Sequence, residues 1–360
     1  MSSATFFMIV PPGFEKLALS ELRYKQALPP DLAESNIRIL KGGIEFDLPF
    51  DMGLKLNSYS HLATRVLVRI DKFRCRDFPK LFKKIQAIDW SKWLTGPFDV
   101  SVSAHRSRLM NKKRIISSVS EGIEKQSKKK FRFNEDDTIN TQTVYVRFDN
   151  DEAEVSLDTS GEALFKRGYK YLEATAPIRE NLAAGLFWAL YEKAGRPKNI
   201  VLCDLMCGSG TLLTEAGIFS NKDQADAPNL KLRGFDKSGE IAIIAERNIT
   251  SLKLGDTSEV GVADFLQPAD LAVIKSILEK ANENSATLIG ISNPPYGVRL
   301  KWPCPPKEFY SRLVEAYSAA GCQLFGFIVP QSALRSAPKP SLSFPFKNGG
   351  IDVIFNIYER

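Results

Sequence analysis

Histidine and cysteine are scarce in this 360-residue chain: His61 and His105, with cysteines at 75, 203, 207, 304 and 322. No two cysteines form a CxxC pair and none has a histidine beside it, so reduced thiols are expected and a structural zinc site is not. Long apolar runs are missing as well; no stretch reaches the ~18 uninterrupted residues that span a bilayer. Met1 to Val10 has no basic region and meets Pro11-Pro12-Gly13, which argues against a secretory leader. Internal repeats and low-complexity tracts are absent, and Ala337 to Pro345 is a Pro- and Ser-rich loop. The composition therefore predicts a cytoplasmic monomer without membrane or metal.

What is present is ordinary globular composition, 44% hydrophobic and 25% charged, in a chain long enough for two or three domains. The net charge of +7 is local. Between Ser101 and Phe133 lie Arg106, Arg108, Lys112, Lys113, Arg114, Lys125, Lys128, Lys129, Lys130 and Arg132, against only Glu121 and Glu124, so the remainder is about neutral. A basic face confined to one region suits a polyanion, because clustered Lys and Arg release counterions from phosphates; a solvated helix face is the plainer reading of the same charges.

The first half reads as α+β. Strand patterns fall at Thr5 to Val10, Ile37 to Leu40, Gly43 to Asp47, Thr64 to Phe73, Asp99 to Ala104, Thr143 to Asp149 and Glu152 to Asp158, with helices at Phe14 to Tyr24 and Lys112 to about Lys130. Asn150-Asp151 sits between two alternating runs and predicts a hairpin. Between about 160 and 175 a polar, Gly-containing connector gives way to long helices alternating with short apolar strands, the pattern of a parallel α/β sheet.

In that second half, four strands each end in polar residues. Asn199 to Asp204 runs into Leu205-Met206-Cys207-Gly208-Ser209-Gly210-Thr211, a glycine turn that lets a ligand approach the backbone at a helix N-terminus. It lacks the GxGxxG or GKS/T continuation, which disfavours a dinucleotide or a P-loop site. Leu232 to Phe235 ends in Asp236, placed to accept hydrogen bonds from ribose hydroxyls, and Glu259 to Ala263 ends in Asp264-Phe265, a carboxylate and a ring suited to adenine. Thr287 to Ser292 ends in Asn293-Pro294-Pro295-Tyr296-Gly297.

The two prolines fix their own φ and restrain the residue before each, so this last turn rigidly presents acceptors. Such acceptors suit an amino group on a planar ring, and Tyr296 is expected to stack on that ring. With a sulfonium methyl donor, whose leaving group is already good, positioning supplies most of the rate. Catalysis is thus expected at Asn293, Pro294, Pro295 and Tyr296.

These residues resemble the THUMP-domain class I RNA methyltransferases, in particular the guanine-N2 enzymes similar to the N-terminal half of the bacterial bifunctional large-subunit enzyme. The likeness is carried by Asp158 to Gly161, Phe165 to Tyr169, Ala176 to Ala183, Asp204 to Thr211 with Glu215-Ala216, and Asn293 to Gly297, and reaches from Gly42 to Phe46 and on to Asn348-Gly349. It implies a ferredoxin-like domain (1–55), a THUMP domain that grips RNA (56–160), a linker (161–175) and a Rossmann-like α/β catalytic domain (176–360) with a seven-stranded mixed sheet ordered 3-2-1-4-5-7-6. It also implies S-adenosyl-L-methionine held by Pro177, Asn181, Asp204, Cys207, Gly208, Ser209, Gly210, Thr211, Asp236, Asp264 and Phe265. RNA would be met by the basic cluster (Arg106, Arg108, Lys112, Lys113, Arg114, Lys128, Lys129, Lys130 and Arg132) together with Lys166 and Arg167. The family usually has Pro after the first Asp, whereas Leu205 stands here. Bifunctional members continue into a second methyltransferase domain; the pattern here ends in a terminal hairpin, so one modification is expected.

The resemblance implies N2-methylguanosine in 23S ribosomal RNA. Transfer RNA as substrate, adenine N6 as acceptor, or an RNA-binding assembly factor with a vestigial cofactor site are the alternatives, since the turn identifies an amino acceptor and not its bearer.

Overall fold

The computed structural model describes residues 3–127, 141–169, 178–220, 227–252, 254, 257–282, 285–297 and 300–360. The chain divides into two compact units. The first holds Met1–Ile9, Ala27–Tyr59 and Ala63–Leu164; the second holds Val10–Gln26, Ser60–Leu62 and Phe165–Arg360. Helix α1 (Glu15–Tyr24) thus belongs to the second unit although it comes near the start of the chain.

In the first unit, strands β1 (Ser3–Ile9), β2 (Ile37–Leu40), β3 (Gly43–Pro49), β4 (Arg65–Arg74), β5 (Phe98–His105), β6 (Gln142–Asp149) and β7 (Glu152–Asp158) form one sheet in the order β2-β3-β1-β4-β7-β6-β5. Strands from both expected N-terminal pieces, 1–55 and 56–160, share this sheet through the β1–β4 ladder. Only β5 and β6 pair in parallel; β6 and β7 form the expected hairpin. Its two-residue loop, Asn150 and Asp151, takes φ of 51° and 64°, the left-handed pair that matches the twist of the strands.

Among the described residues three α-helices accompany this sheet: α2 (Phe50–Tyr59), α3 (Phe78–Gln86) and α4 (Lys112–Ser127). Asp77 caps α3, accepting from Lys80 N at 2.8 Å, and Pro79 stands in its first turn, where no N–H is needed. Leu81, Ile85, Ile115, Val119 and Ile123 turn inward at helical spacing. Gly122 lets α4 close on α3: a Cβ there would come within 2.9 Å of Ile85.

The second unit is a doubly wound sheet. Its strands are β8 (Asn199–Asp204), β9 (Asn229–Asp236), β10 (Ser258–Val262), β11 (Thr287–Ser292), β12 (Leu324–Pro330), β13 (Leu342–Asn348) and β14 (Ile351–Glu359), in the order β10-β9-β8-β11-β12-β14-β13. Numbered within this unit the order is 3-2-1-4-5-7-6, as expected. The first five are parallel and β14 is antiparallel to both neighbours. β8 and β11 are buried almost end to end, which continuous apolar strands require when both faces are covered.

The helices of this unit after α1 are α5 (Glu180–Lys193), α6 (Thr211–Phe219), α7 (Gly239–Thr250), α8 (Pro268–Ala281) and α9 (Pro306–Ala319). α5 is buried over most of its length and, with α6, meets α1 through aromatic rings: Tyr24 lies 5.1 Å from Trp188 of α5 and stacks at 5.9 Å on Phe219 of α6. Gly185 makes room for Phe14, whose Cδ1 would lie 2.3 Å from a Cβ there. Among the described residues no helix is long and apolar enough to cross a membrane, and no group of three His, Cys, Asp or Glu could hold a metal ion.

Candidate active site

The strand order reverses between β8 and β11, and in an open α/β sheet ligands bind outside the carboxyl ends of the strands at such a point. A cavity of about 310 Å³ lies there. Its wall includes Asp204, Cys207, Gly208, Ser209, Thr211, Asp236, Asp264, Phe265, Asn293 and Pro295, so residues from four strand ends meet around one space.

Asp204 closes β8 and is 1% exposed. Its Oδ1 accepts from Ser292 Oγ at 2.7 Å and from Met206 N at 3.0 Å, while Oδ2 has no hydrogen-bond partner among the described residues. Burial pushes its pKa up to about 7, although the Ser292 and Met206 bonds favour the charged form. A buried acceptor of this kind awaits a donor from a ligand.

Next in the chain, the glycine turn is shaped by neighbouring backbone. Cys207 N donates to Phe235 O at 2.9 Å, and Gly208 N to Asp236 Oδ2 at 3.1 Å. Gly208 (φ +55°) has open space where a Cβ would sit, which leaves the backbone approachable. Gly210 (φ +79°) caps α6 beside Ala245, so it shapes the turn from behind and is not part of the cavity wall. Asn248 Nδ2 fixes Ser209 O at 2.9 Å. Burial holds the Cys207 thiol well above its ordinary range, so it is a neutral wall group and not a nucleophile.

Asp236 also accepts from Ser238 N at 3.0 Å, and Asp264 accepts from Leu266 N at 3.0 Å. Phe265 stands edge-on to Phe309, ring centres 5.9 Å apart, and both rings line the cavity. At the Asn-Pro-Pro-Tyr turn, Asn293 and Pro295 reach the wall, whereas Pro294 is buried and Tyr296 stands off it. Tyr296 differs from expectation: its hydroxyl donates to Asn293 Oδ1 at 2.6 Å and accepts from Asn348 Nδ2 at 3.0 Å. The ring is turned toward its own turn, not offered to the cavity. Gly297 (φ +77°) ends the turn against the Trp302 ring, which would lie 2.2 Å from a Cβ.

Like Gly210, one more residue expected at the cofactor stands off the wall. Asn181 is buried in α5, its Nδ2 donating to Leu62 O at 3.4 Å, and it is not part of the wall. Pro177 lies outside the described residues. Ile178, Lys237, Ser238, Ile241, Leu300 and Lys301 are also on the wall, none of them expected from the sequence. Lys237 and Ser238 follow a strand-end carboxylate directly, which was the available signal.

Of the residues expected at RNA, Arg106, Arg108, Lys112, Lys113 and Arg114 are exposed on the first unit. Lys128, Lys129, Lys130 and Arg132 lie outside the described residues. Lys80, Lys83 and Lys84 on α3, which the sequence reading passed over, are exposed on the helix that packs against α4. In the second unit Lys166 is exposed, but Arg167 is not available for RNA. Its Nε lies 3.0 Å from both carboxylate oxygens of Glu215, which is fully buried, and its Nη2 donates to His61 O at 2.7 Å. Tyr169 OH donates to the same carboxylate at 2.8 Å.

Comparison with known proteins places these features. Residues 167–329 match the family described as RMKL-like, methyltransferase domain, and residues 75–158 match the THUMP domain. The ribosomal RNA large subunit methyltransferase K/L of Ectopseudomonas mendocina is 28% identical over 395 residues, covering 95% of this chain and 50% of that protein. The chain thus spans about half the length of curated relatives that it matches nearly end to end. Among solved structures, a possible methylase from Clostridium difficile 630 is 25% identical with a TM-score of 0.79, covering 99% of this chain and 98% of that one. The protein SMU.472, solved in complex with SAH, shares the fold at 20% identity and a TM-score of 0.78, over 100% of this chain and 98% of that one.

Proposed function

Because the chain joins a THUMP domain to a methyltransferase domain of the RMKL-like kind, we propose that it transfers a methyl group from S-adenosyl-L-methionine to the exocyclic amino group of guanine in RNA, forming N2-methylguanosine in 23S ribosomal RNA. The observation that carries the reading is the convergence of Asp204, Asp236, Asp264, Asn293 and Pro295 on the wall of one cavity. The relatives' name supports ribosomal RNA as the bearer.

The cavity suits the cofactor. Asp204 Oδ2 is a buried acceptor without a partner among the described residues, and Gly208 leaves its backbone open. Asp204 would hold the amino group of the methionine end, Asp236 the ribose hydroxyls, and Asp264 with Phe265 the adenine. When bound, the cofactor supplies an activated methyl on a sulfonium, so no strong base is demanded of the protein. Asn293 then has two tasks: to accept a hydrogen bond from the target amino group, and to hold its nitrogen in line with the methyl. A base must leave its stack to reach this cavity. The first unit, with exposed Arg106, Lys112, Lys113 and Arg114, would grip the RNA backbone.

The test is nucleoside mass spectrometry after incubation of the full chain with labelled cofactor and 23S ribosomal RNA. The expected product is N2-methylguanosine. A methylated adenine, or label only in transfer RNA, would replace the acceptor or the substrate; no label in any RNA would overturn the reading.

A further inference from the structure

The geometry points to Asn348 as a positioning residue for the acceptor turn, acting on Asn293 through the hydroxyl of Tyr296. This rests on the reading of Asn293 as the group that receives the target amine. Asn348 lies 52 residues beyond Tyr296 in the chain; it closes β13 at the tip of the terminal hairpin, directly before Gly349 (φ +57°) and Gly350 (φ +85°).

The path is a relay with a direction. Asn348 Nδ2 donates to Tyr296 OH at 3.0 Å, and Tyr296 OH donates to Asn293 Oδ1 at 2.6 Å. A phenol carries one proton, so once Asn348 donates to its oxygen that proton is left for Asn293. The Asn293 amide is thereby oriented with its oxygen toward Tyr296, since a flipped amide would set its N–H₂ against the hydroxyl proton. One lone pair of Oδ1 is used and the other remains for an amino group. Burial raises the Tyr296 pKa, so the phenol keeps its proton at any pH at which the protein works.

Asn348 itself is buried, and its partner at the turn of the hairpin is Ile351. The hairpin tip therefore serves as a brace for the acceptor turn, whose far end is held by Gly297 N donating to Leu300 O at 2.9 Å. Nothing in this relay touches the cofactor carboxylates Asp204, Asp236 or Asp264. Its loss should be felt in turnover and not in cofactor affinity.

The decisive variant is Asn348→Asp, nearly isosteric but an acceptor where a donor stood. It would draw the phenol proton to itself and away from Asn293. We expect kcat to fall by roughly tenfold or more, with the cofactor Kd from calorimetry and the KM for RNA within about twofold of the parent. Asn348→Leu should lose a similar factor, and neither substitution should lower kcat further in a Tyr296→Phe background. Unchanged turnover in Asn348→Asp, or additive losses in the double variants, overturns the relay. Equal losses of thermal stability and cofactor affinity with kcat intact would make Asn348 a structural residue only. Selective ¹⁵N labelling of asparagine gives a reading independent of activity: the side-chain amide signals of Asn293 and Asn348 should both move in Tyr296→Phe, and signals that stay put reject the contact. Should the full chain methylate no RNA, the proposed function fails while this spectrum still decides the relay.

Discussion

Ser292 Oγ donates a 2.7 Å hydrogen bond to Asp204 Oδ1, joining the last residue of β11 to the last residue of β8. Tyr317 OH stands behind the pair, where its single proton is shared between Ser292 Oγ and Ile291 O, the latter 2.9 Å away. The residue that precedes the acceptor turn thus orients the carboxylate assigned to the methyl donor. Ser292→Ala should leave Asp204 with a single bond at Oδ1. We expect a loss of about 1–3 kcal/mol in urea unfolding and a several-fold weaker cofactor Kd by calorimetry. Intact affinity would separate the two sites.

Asp204 gives a pH dependence of defined sign. Its folded pKa, about 7, lies above the ordinary 3.8, so with the cavity empty the folded chain holds this proton longer than the unfolded chain does. The contribution of Asp204 to stability is full at low pH and is lost as pH rises from about 4 through about 7. Pairing with a cationic amino group needs the carboxylate, so cofactor affinity should rise over the upper part of that window. Titration calorimetry from pH 6 to pH 8 should show tightening in the parent and a flat profile in Asp204→Asn, and thermal melts should show the opposite trend for the empty protein. A flat parental profile removes the ammonium from this carboxylate.

Arg167 and Glu215 form a largely buried pair, and removing one partner strands the other. Arg167→Met is expected to cost about 3–5 kcal/mol, and Arg167→Met combined with Glu215→Gln should recover much of that loss. Denaturant melts measure it. Filter binding on any variant that stays folded should show an unchanged salt slope for RNA, since this guanidinium is not offered to phosphate. A flatter slope would return Arg167 to the RNA face.

The lysines of α3 make the complementary case. Reversal of Lys80, Lys83 and Lys84 to Glu should weaken RNA binding and reduce the slope of log K against log salt by up to ~0.9 per lost phosphate contact. The same triple change at Lys112, Lys113 and Arg114 tests α4. If neither slope moves, RNA binds elsewhere.

The acceptor turn and the strand-end carboxylates were legible in the sequence because their signals are local: a proline pair, a glycine pair, a carboxylate at the end of an apolar run. The strand order came with the family resemblance. What stayed hidden depends on distant partners. Arg167 lies in a polar connector and reads as solvent-facing until Glu215, on another helix, is seen to bury it. Tyr296 reads as a stacking ring until Asn348 is found beside its hydroxyl. The lysines of α3 are separated from the basic cluster in the sequence, whereas α3 meets α4 in the fold. Helix α1 reads as part of the first domain until its contacts with the second are seen, among them Tyr24 against Trp188 and Phe219 and Ser20 hydrogen-bonded to Glu192.

That last assignment bears on how such a protein can be divided. The catalytic unit is not a cassette: a recombination breakpoint or an expression boundary anywhere between residues 27 and 165 would carry off Phe14 and Tyr24 and leave Gly185, Trp188 and Phe219 facing water. During synthesis the same residues emerge first and stay unmatched until α5 and α6 have left the ribosome. The core of the second unit therefore cannot close on residues 165–360 alone, and any division of the chain has to keep residues 10–26 with them.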